Sequence, residues 1–419
     1  MKRFLTAVLT ATAIALVAPA CDELEDPNEP KAPKVLELTT KQEAYVASGN
    51  DFAFRFLKEI QADAKKDYVI SPLSMQFLLG MVLNGAKGET ATEISKVLGY
   101  GAGETQLVNE YCLTMLSNLP KLDKKTTVSI ADAIFVDKGF DLLPEYKTAV
   151  AKHYLAEVSN LDFKDTKGSA AHINKWCSDN TQGLIPKILD EVSPDMLAYL
   201  LNALYFKGEW TTAFNKASTS EEKFRLPNDT GVKLPMMKLS HELEYTENDF
   251  FQAVTLPYGN RAFSMTVLLP KGKSTIDDAA AYFCKNSWND FRWSMMTCKV
   301  DLWLPRFETS FEIELNDILS AMGMPTSFKY TADFSAMSPD ALCLSFVKQN
   351  AAIKVDEEGS EAAAVSSAGM MKTTSIGGDA PPAIFHADHP FLYLITESST
   401  GAILFTGRYS GPAEEPASK

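Results

Sequence analysis

Few side chains in this chain have the types and spacing that chemistry needs. Its five histidines are His153, His172, His241, His386 and His389, and none lies in an HExxH pattern. The two in "HADH" are followed at once by Pro390, which spoils the helix that would turn both rings toward one metal. No GxSxG elbow and no Walker A loop occurs. A Ser-His-Asp triad assembles from distant positions, and no pattern here marks one. The expectation is no metal, no cofactor and no enzymatic turnover. One stretch is unusual: "DEEGSEAAAVSSAGMMKTTSIGGDAPPAIF", residues 356–385. Read as a strand from Gly359, it puts Ser360, Ala362, Ala364, Ser366 and Ala368 on one face, all small and uncharged. The other face carries Glu361, Ala363, Val365, Ser367 and Gly369. Residues 359–372 contain no proline, so every N–H there can join a ladder. Yet the stretch lacks the β-branched residues of a resident strand. It fits a strand that has not been placed. On these residues alone a flexible Ala/Ser loop is the plainer reading.

The elements around this stretch must supply whatever positions it. The chain has 419 residues, 46% of them hydrophobic, enough for one large core or two ordinary ones. Its net charge of -14 argues against a nucleic-acid partner, which would need a basic footprint. "KLDKK", residues 121–125, reads as a solvated loop. Residues 40–200 read as mostly helical, through "QEAYVASGNDFAFRFLKEIQAD", "SPLSMQFLLGMVLNGAKGETATEISKVLG" and "AAHINKWCSDNTQGLIPKIL". Ser71-Pro72 is a helix start and Gly99 a stop. Strands dominate from residue 200 on: "AYLLNALYFKGEW", then "FFQAVTLPYGN" and "RAFSMTVLLP" joined at Gly259-Asn260, then "CKVDLWLPRFETSFEIEL", which gives way to helical "NDILSAMG". "PFLYLITESSTGAILFTGRY" gives two more strands near the C-terminus. Helices followed by strands make an α+β pattern in a single domain, residues 41–412, with a tail at 413–419.

The N-terminus reads as a targeting segment. Lys2 and Arg3 precede the apolar "FLTAVLTATAIALVAPA", and Cys21 follows Ala18-Pro19-Ala20. This resembles a bacterial lipoprotein signal. Residues 1–20 would be removed, Cys21 lipidated, and residues 21–40, acidic and proline-containing, would serve as a tether. The protein would then be membrane-anchored in the cell envelope, outside the cytoplasm, facing either periplasm or cell exterior. No other run reaches the ~18 apolar residues of a spanning helix. The remaining Cys112, Cys177, Cys284, Cys298 and Cys343 are odd in number and show no CxxC spacing, so buried single thiols are expected rather than disulfides.

"EEGSEAAAVSSA" resembles the reactive-loop hinge of the serpins, a family of serine protease inhibitors with a shared fold. Other segments in family order carry the same resemblance. "ISPLSMQFLLGMVLNGAKGETATEI" is similar to the helix B region. "LLNALYFKGEW" with Phe214 matches N-x-x-x-F-K-G-x-W-x-x-x-F. "VKLPMMK", "LPRF" and "HPFLYLITESSTGAILFTGR" match further family segments. The resemblance implies three β-sheets, about nine helices and an exposed reactive-centre loop. It implies a trap in which a protease cuts the loop, forms a covalent acyl-enzyme and is carried along as the loop enters the central sheet. It implies a hinge at Glu357, Glu358, Gly359, Ser360, Glu361, Ala362, Ala363 and Ala364. Ser71, Ser74 and Asn202 match a polar cluster beneath the sheet's opening point, whose usual histidine aligns with Gln349. Trp210, Arg306 and Glu357 match the region where the loop enters. Counting from the hinge puts the residue ahead of the cut at Thr373, or at Lys372 for a loop one residue shorter; Met371 and Thr374 are the neighbouring frames. "TTSIGGDAPPAIF" is longer than usual, which shifts the possible frame. The partners implied are proteases of trypsin-like or of elastase- or subtilisin-like specificity, met by a monomer. The alternative is a non-inhibitory member that binds another molecule or acts like a chaperone.

Overall fold

Ser71 and Pro72 begin a helix because their chemistry suits its first turn. The Ser71 hydroxyl accepts the Ser74 N–H at 3.1 Å, and Pro72 loses no bond at the first helical position. The helix that follows is apolar on every side and is buried at every residue but Asn84, as befits a core helix. The computed structural model describes residues 33–63, 67–345, 347–360 and 381–412. The signal segment, the lipidation candidate Cys21, Glu361, Ala362, Ala363, Ala364, Met371, Lys372, Thr373, Thr374 and the tail all lie outside the described residues.

In chain order the first half runs α1 (Thr40–Asp63), β1 (Tyr68–Ile70), α2 (Pro72–Gly85), α3 (Gly88–Leu98), α4 (Thr105–Asn118), β2 (Thr126–Asp137), α5 (Pro144–His153), β3 (Glu157–Leu161), α6 (Thr166–Asn180) and β4 (Ala198–Glu209). There follow β5 (Ser220–Arg225), β6 (Gly231–Glu247), β7 (Phe251–Tyr258), β8 (Phe263–Pro270), α7 (Ile276–Phe283), α8 (Trp288–Ser294), β9 (Met296–Pro305), β10 (Phe307–Glu314) and α9 (Asn316–Met322). The last strands are β11 (Lys348–Val355), β12 (Gly359–Ser360), β13 (Ala383–His386), β14 (Phe391–Glu397) and β15 (Ile403–Tyr409). The architecture is α+β, with nine α-helices among the described residues.

Hydrogen bonds organise these strands into two networks. One has six strands in the order β10-β11-β12-β4-β2-β3. The other has nine, β1-β15-β14-β8-β7-β6-β9-β13 with β5 on β6. Where three sheets are expected, the larger network is two limbs joined by one long strand. β6 pairs β9 along Met236–Tyr245 and hands over to β7 at Glu244–Glu247.

Between the two networks lies the main core, which includes α2. A second cluster, with Phe135, Phe163, Ile173, Trp176 and Tyr199, fills the space between the six-stranded sheet and α6. This second layer explains the main departure from the sequence reading. β2 and β3 interrupt the stretch taken as helical. β2 is covered on both faces: Val128, Ile134 and Val136 join the main core, while Ala133 and Phe135 join the second cluster. A strand buried on both sides shows no clean alternation, and "IADAIF" also suits a helix. Within the expected tether, Leu36 is already buried, and its N–H is bonded to Ser399 Oγ at 3.1 Å. Cys112 and Cys177 are buried thiols, whereas Cys284 is exposed.

Candidate functional site

The site is built where β12 meets its neighbours. Gly359 lies opposite Glu209 of β4, and Ser360 is flanked by Gly208 of β4 and Val355 of β11. Both pairings are antiparallel. Backbone crowding dictates the glycine: a Cβ on Gly359 would stand 1.9 Å from the Gly208 carbonyl oxygen. Gly208 is constrained in turn, since a Cβ there would meet the Tyr258 ring at 2.8 Å. Glycine is the residue for such a close approach. Sequence reasoning treats Ser360 as part of an exposed hinge; here it is wholly buried, with its hydroxyl 2.7 Å from that of Tyr258. The Tyr258 ring stacks on Trp210 at 4.4 Å.

The turn leading into β12 is held on every side. Trp210 donates its indole N–H to the Asp356 carbonyl at 2.9 Å and its backbone N–H to Glu358 O at 2.8 Å. Phe214 N–H reaches Glu357 O at 2.9 Å. The Asp356 carboxylate accepts the Glu358 and Gly359 N–H groups at 2.9 and 3.3 Å. Lys216 pairs with Glu358. Arg306 grips the buried Glu357: Nε donates to both carboxylate oxygens at 2.8 Å and Nη2 to Oε1 at 2.5 Å. Thr219 Oγ1 donates to the same Oε1 at 2.6 Å. Burial alone would raise the Glu357 carboxyl above its ordinary range, but the Arg306 and Thr219 hydrogen bonds override it and hold the group below. Charge-assisted bonds of this forked kind are strong and directional.

A second polar cluster lies where the start of α2 meets the six-stranded sheet. Gln349 on β11 accepts Ser71 N–H at 3.1 Å and donates to Ser71 O at 2.9 Å. Ser71 Oγ donates to Leu404 O at 2.8 Å. On the other side Ser74 Oγ donates to Asn202 Oδ1, and Asn202 Nδ2 donates to Asp132 Oδ1 at 2.7 Å. One helix start thus ties β11 through Gln349 and β4 through Asn202, the two strands that flank β12. Asp132 stands directly opposite Asn202 in the β2–β4 ladder.

Trp210, Arg306, Glu357, Glu358, Gly359 and Ser360 therefore come together at one point, and Ser71, Ser74, Asn202 and Gln349 at another. Sequence reasoning missed Asp132, Thr219, Asp356 and Tyr258. A lone acid in the middle of an apolar strand, "SIADAIF", was the one available signal for Asp132. The "HADH" pair does not converge. His386 stacks on Trp303 at 4.0 Å, while His389 faces Asp388 and the Pro270 carbonyl.

Comparison with known proteins gives one answer. The family model described as Serpin (serine protease inhibitor) matches residues 47–412. Serpin B6 of Macaca fascicularis is 34% identical over 375 residues, covering 86% of this chain and 97% of that one. Among solved structures, cleaved Serpin 42Da superposes with a TM-score of 0.80 at 27% identity, covering 90% of this chain and all of that one. Human thyroxine-binding globulin complexed with its hormone gives 0.80 at 25% identity over 89% of this chain and 100% of that one.

Proposed function

The chain belongs to the serpin family, and from that premise we propose that it inhibits serine proteases by a conformational trap. The observation that carries this reading is β12, two residues standing between β11 and β4, antiparallel to both. Continued in the same register, Ala362, Ala364, Ser366 and Ala368 follow Ser360 on its face, and none is too large for a crowded interior. In the proposed reaction the protease serine attacks the carbonyl ahead of the cut. The amine of the following residue leaves, and an ester joins the two proteins. Entry of the freed strand between β4 and β11 then outruns hydrolysis of that ester. Each ladder bond nets about 0.5–1.5 kcal/mol, so a long inserted strand releases on the order of 10 kcal/mol.

The bond Lys372-Thr373 suits a trypsin-like pocket. Cleavage at Met371 or Thr373 suits elastase- or subtilisin-like pockets. Cys21 would carry a lipid anchor that holds a monomer at the cell envelope. A second reading, a non-inhibitory binding protein, has a footing in the shared fold of a globulin that carries thyroxine, since fold does not fix function. The small residues of the hinge favour the trap.

Mixing the protein with trypsin and with elastase, then running a denaturing gel, tests the proposal. A band of summed mass is expected. Cleaved protein beside fully active protease would overturn it. Lys372→Ala should abolish the complex with trypsin and spare that with elastase. Cys21→Ala should release the protein from membranes.

A further inference from the structure

The middle cluster contains a group that the trap as described does not use. Asp132 is 2% exposed, and its second carboxylate oxygen, Oδ2, has no hydrogen-bond partner among the described residues. Among the same residues its first oxygen accepts only from Asn202. A buried acid of this kind is expensive to ionise. The neighbours offer no relief. From α2 comes Ser74, bonded to Asn202; from β4, Asn202 itself. From α4 comes Cys112, whose thiol burial pushes up and the nearby Asp132 pushes further. Tyr154, after α5, is likewise kept neutral by burial. No cation from any of these elements is paired with the carboxyl. Burial accordingly raises Asp132 from its ordinary 3.8 to about 7, with only the Asn202 bond opposing.

The cluster's other side strand, β11, contributes Gln349, an amide that cannot titrate. Of the cluster's side chains Ser71, Ser74, Asn202, Gln349 and Asp132, the carboxyl of Asp132 on β2 is the one that titrates near neutrality. We propose that Asp132 is a protonation-controlled positioning residue for the opening of the six-stranded sheet. Neutral Asp132 costs the closed sheet far less than the ionised form does, because an unmet hydroxyl is cheaper to bury than a charge. Ionised Asp132 leaves an unpaired charge in the same space, and parting the strands to admit water relieves it. Opening is thus easier on the alkaline side. This deepens the trap reading, because the trap needs the sheet to part, yet opening can be measured without any protease.

The test uses the full chain and two variants, Asp132→Asn, which keeps the shape and an acceptor for Asn202, and Asp132→Ser. Opening in a fixed urea concentration is followed by tryptophan fluorescence at about pH 5.5 and about pH 8.5, a window that brackets the titration. The wild-type rate should rise roughly tenfold across it, and the variants should change less than about twofold. Equal slopes in wild type and Asp132→Asn would overturn the proposal. Should neither variant fold, the infrared carbonyl band of a buried protonated acid decides on the wild type. A band that vanishes as pH rises through neutrality supports the proposal, and its absence at about pH 5.5 sinks it. Protease complexes without the pH slope would remove this inference alone. The slope without complexes would remove the trap alone.

Discussion

The two polar regions that border the six-stranded sheet are built on opposite plans. At the entrance, Glu357 is buried but paired, gripped by a guanidinium that is 45% exposed and by the Thr219 hydroxyl. In the middle, Asp132 is buried and, among the described residues, without a cation, in a chain of neutral amides and hydroxyls. The first arrangement stabilises an ionised acid and the second a neutral one. The difference teaches that a buried carboxyl can be held in either ionisation state, depending on whether a cation reaches it.

The largest expected effect comes from forcing a charge into the entrance. Ser360→Arg puts a guanidinium where Ser360 is fully enclosed against Tyr258. An unpaired buried charge costs several kcal/mol even after relaxation, so β12 should leave the sheet and the strand should stall on cleavage. The variant should be cut as a substrate, with a much higher stoichiometry of inhibition on a denaturing gel. Unchanged complex yield would show that the entrance does not control insertion. Glu361→Arg, one residue along and on the other face, should be milder.

Arg306→Ala should come next. It leaves Glu357 with Thr219 as its side-chain partner and costs about 1–3 kcal/mol, the lower part of the range if water reaches the vacated space. Thermal unfolding should register the loss, and Arg306→Lys should recover only part of it, because an ammonium lacks the fork.

pH separates the two regions by sign. Glu357 is held below its ordinary 4.5, so its contribution is present above that value and is lost as pH falls through the lower folded value. Asp132 is raised from 3.8 to about 7, so its contribution is complete below the unfolded value and is lost as pH rises through neutrality. Urea midpoints against pH should therefore fall on both sides. Arg306→Ala should flatten the acid limb and Asp132→Asn the neutral one. If one substitution removed both limbs, the two regions would not be independent.

The smallest effect is expected at Gln349. Gln349→Met removes the amide without adding a charge; Ser71 O keeps the Met75 N–H at 3.2 Å, so what is lost is the partner of the Ser71 N–H, about 1 kcal/mol. A change in unfolding midpoint larger than that at Ser360→Arg would invert the proposed ranking.

Much of the frame was legible before any coordinates. Ser71-Pro72 starts α2, Gly99 ends α3 with φ 74°, and Gly259-Asn260 joins β7 to β8. These are local events, decided by capping, glycine conformation and turn chemistry within a few residues. β2 escaped because its two faces meet two different cores. The three expected sheets merged into two networks because β6 is long enough to pair β9 and β7 in succession. The motif residues were identifiable, but what they touch was not.

Residue type alone determined that Gly359 could pass close to another backbone, that Ser360 and the alanines after it could enter a crowded interior, and that Gln349 could not titrate. Tertiary structure alone decided that Gly359 passes Gly208, that Ser360 is already enclosed by Tyr258, and that Arg306 reaches Glu357. It also decided that no cation among the described residues pairs with Asp132. Burial and partnership arise between segments far apart in the chain, and a carboxylate's charge depends on its surroundings rather than on its place in the sequence.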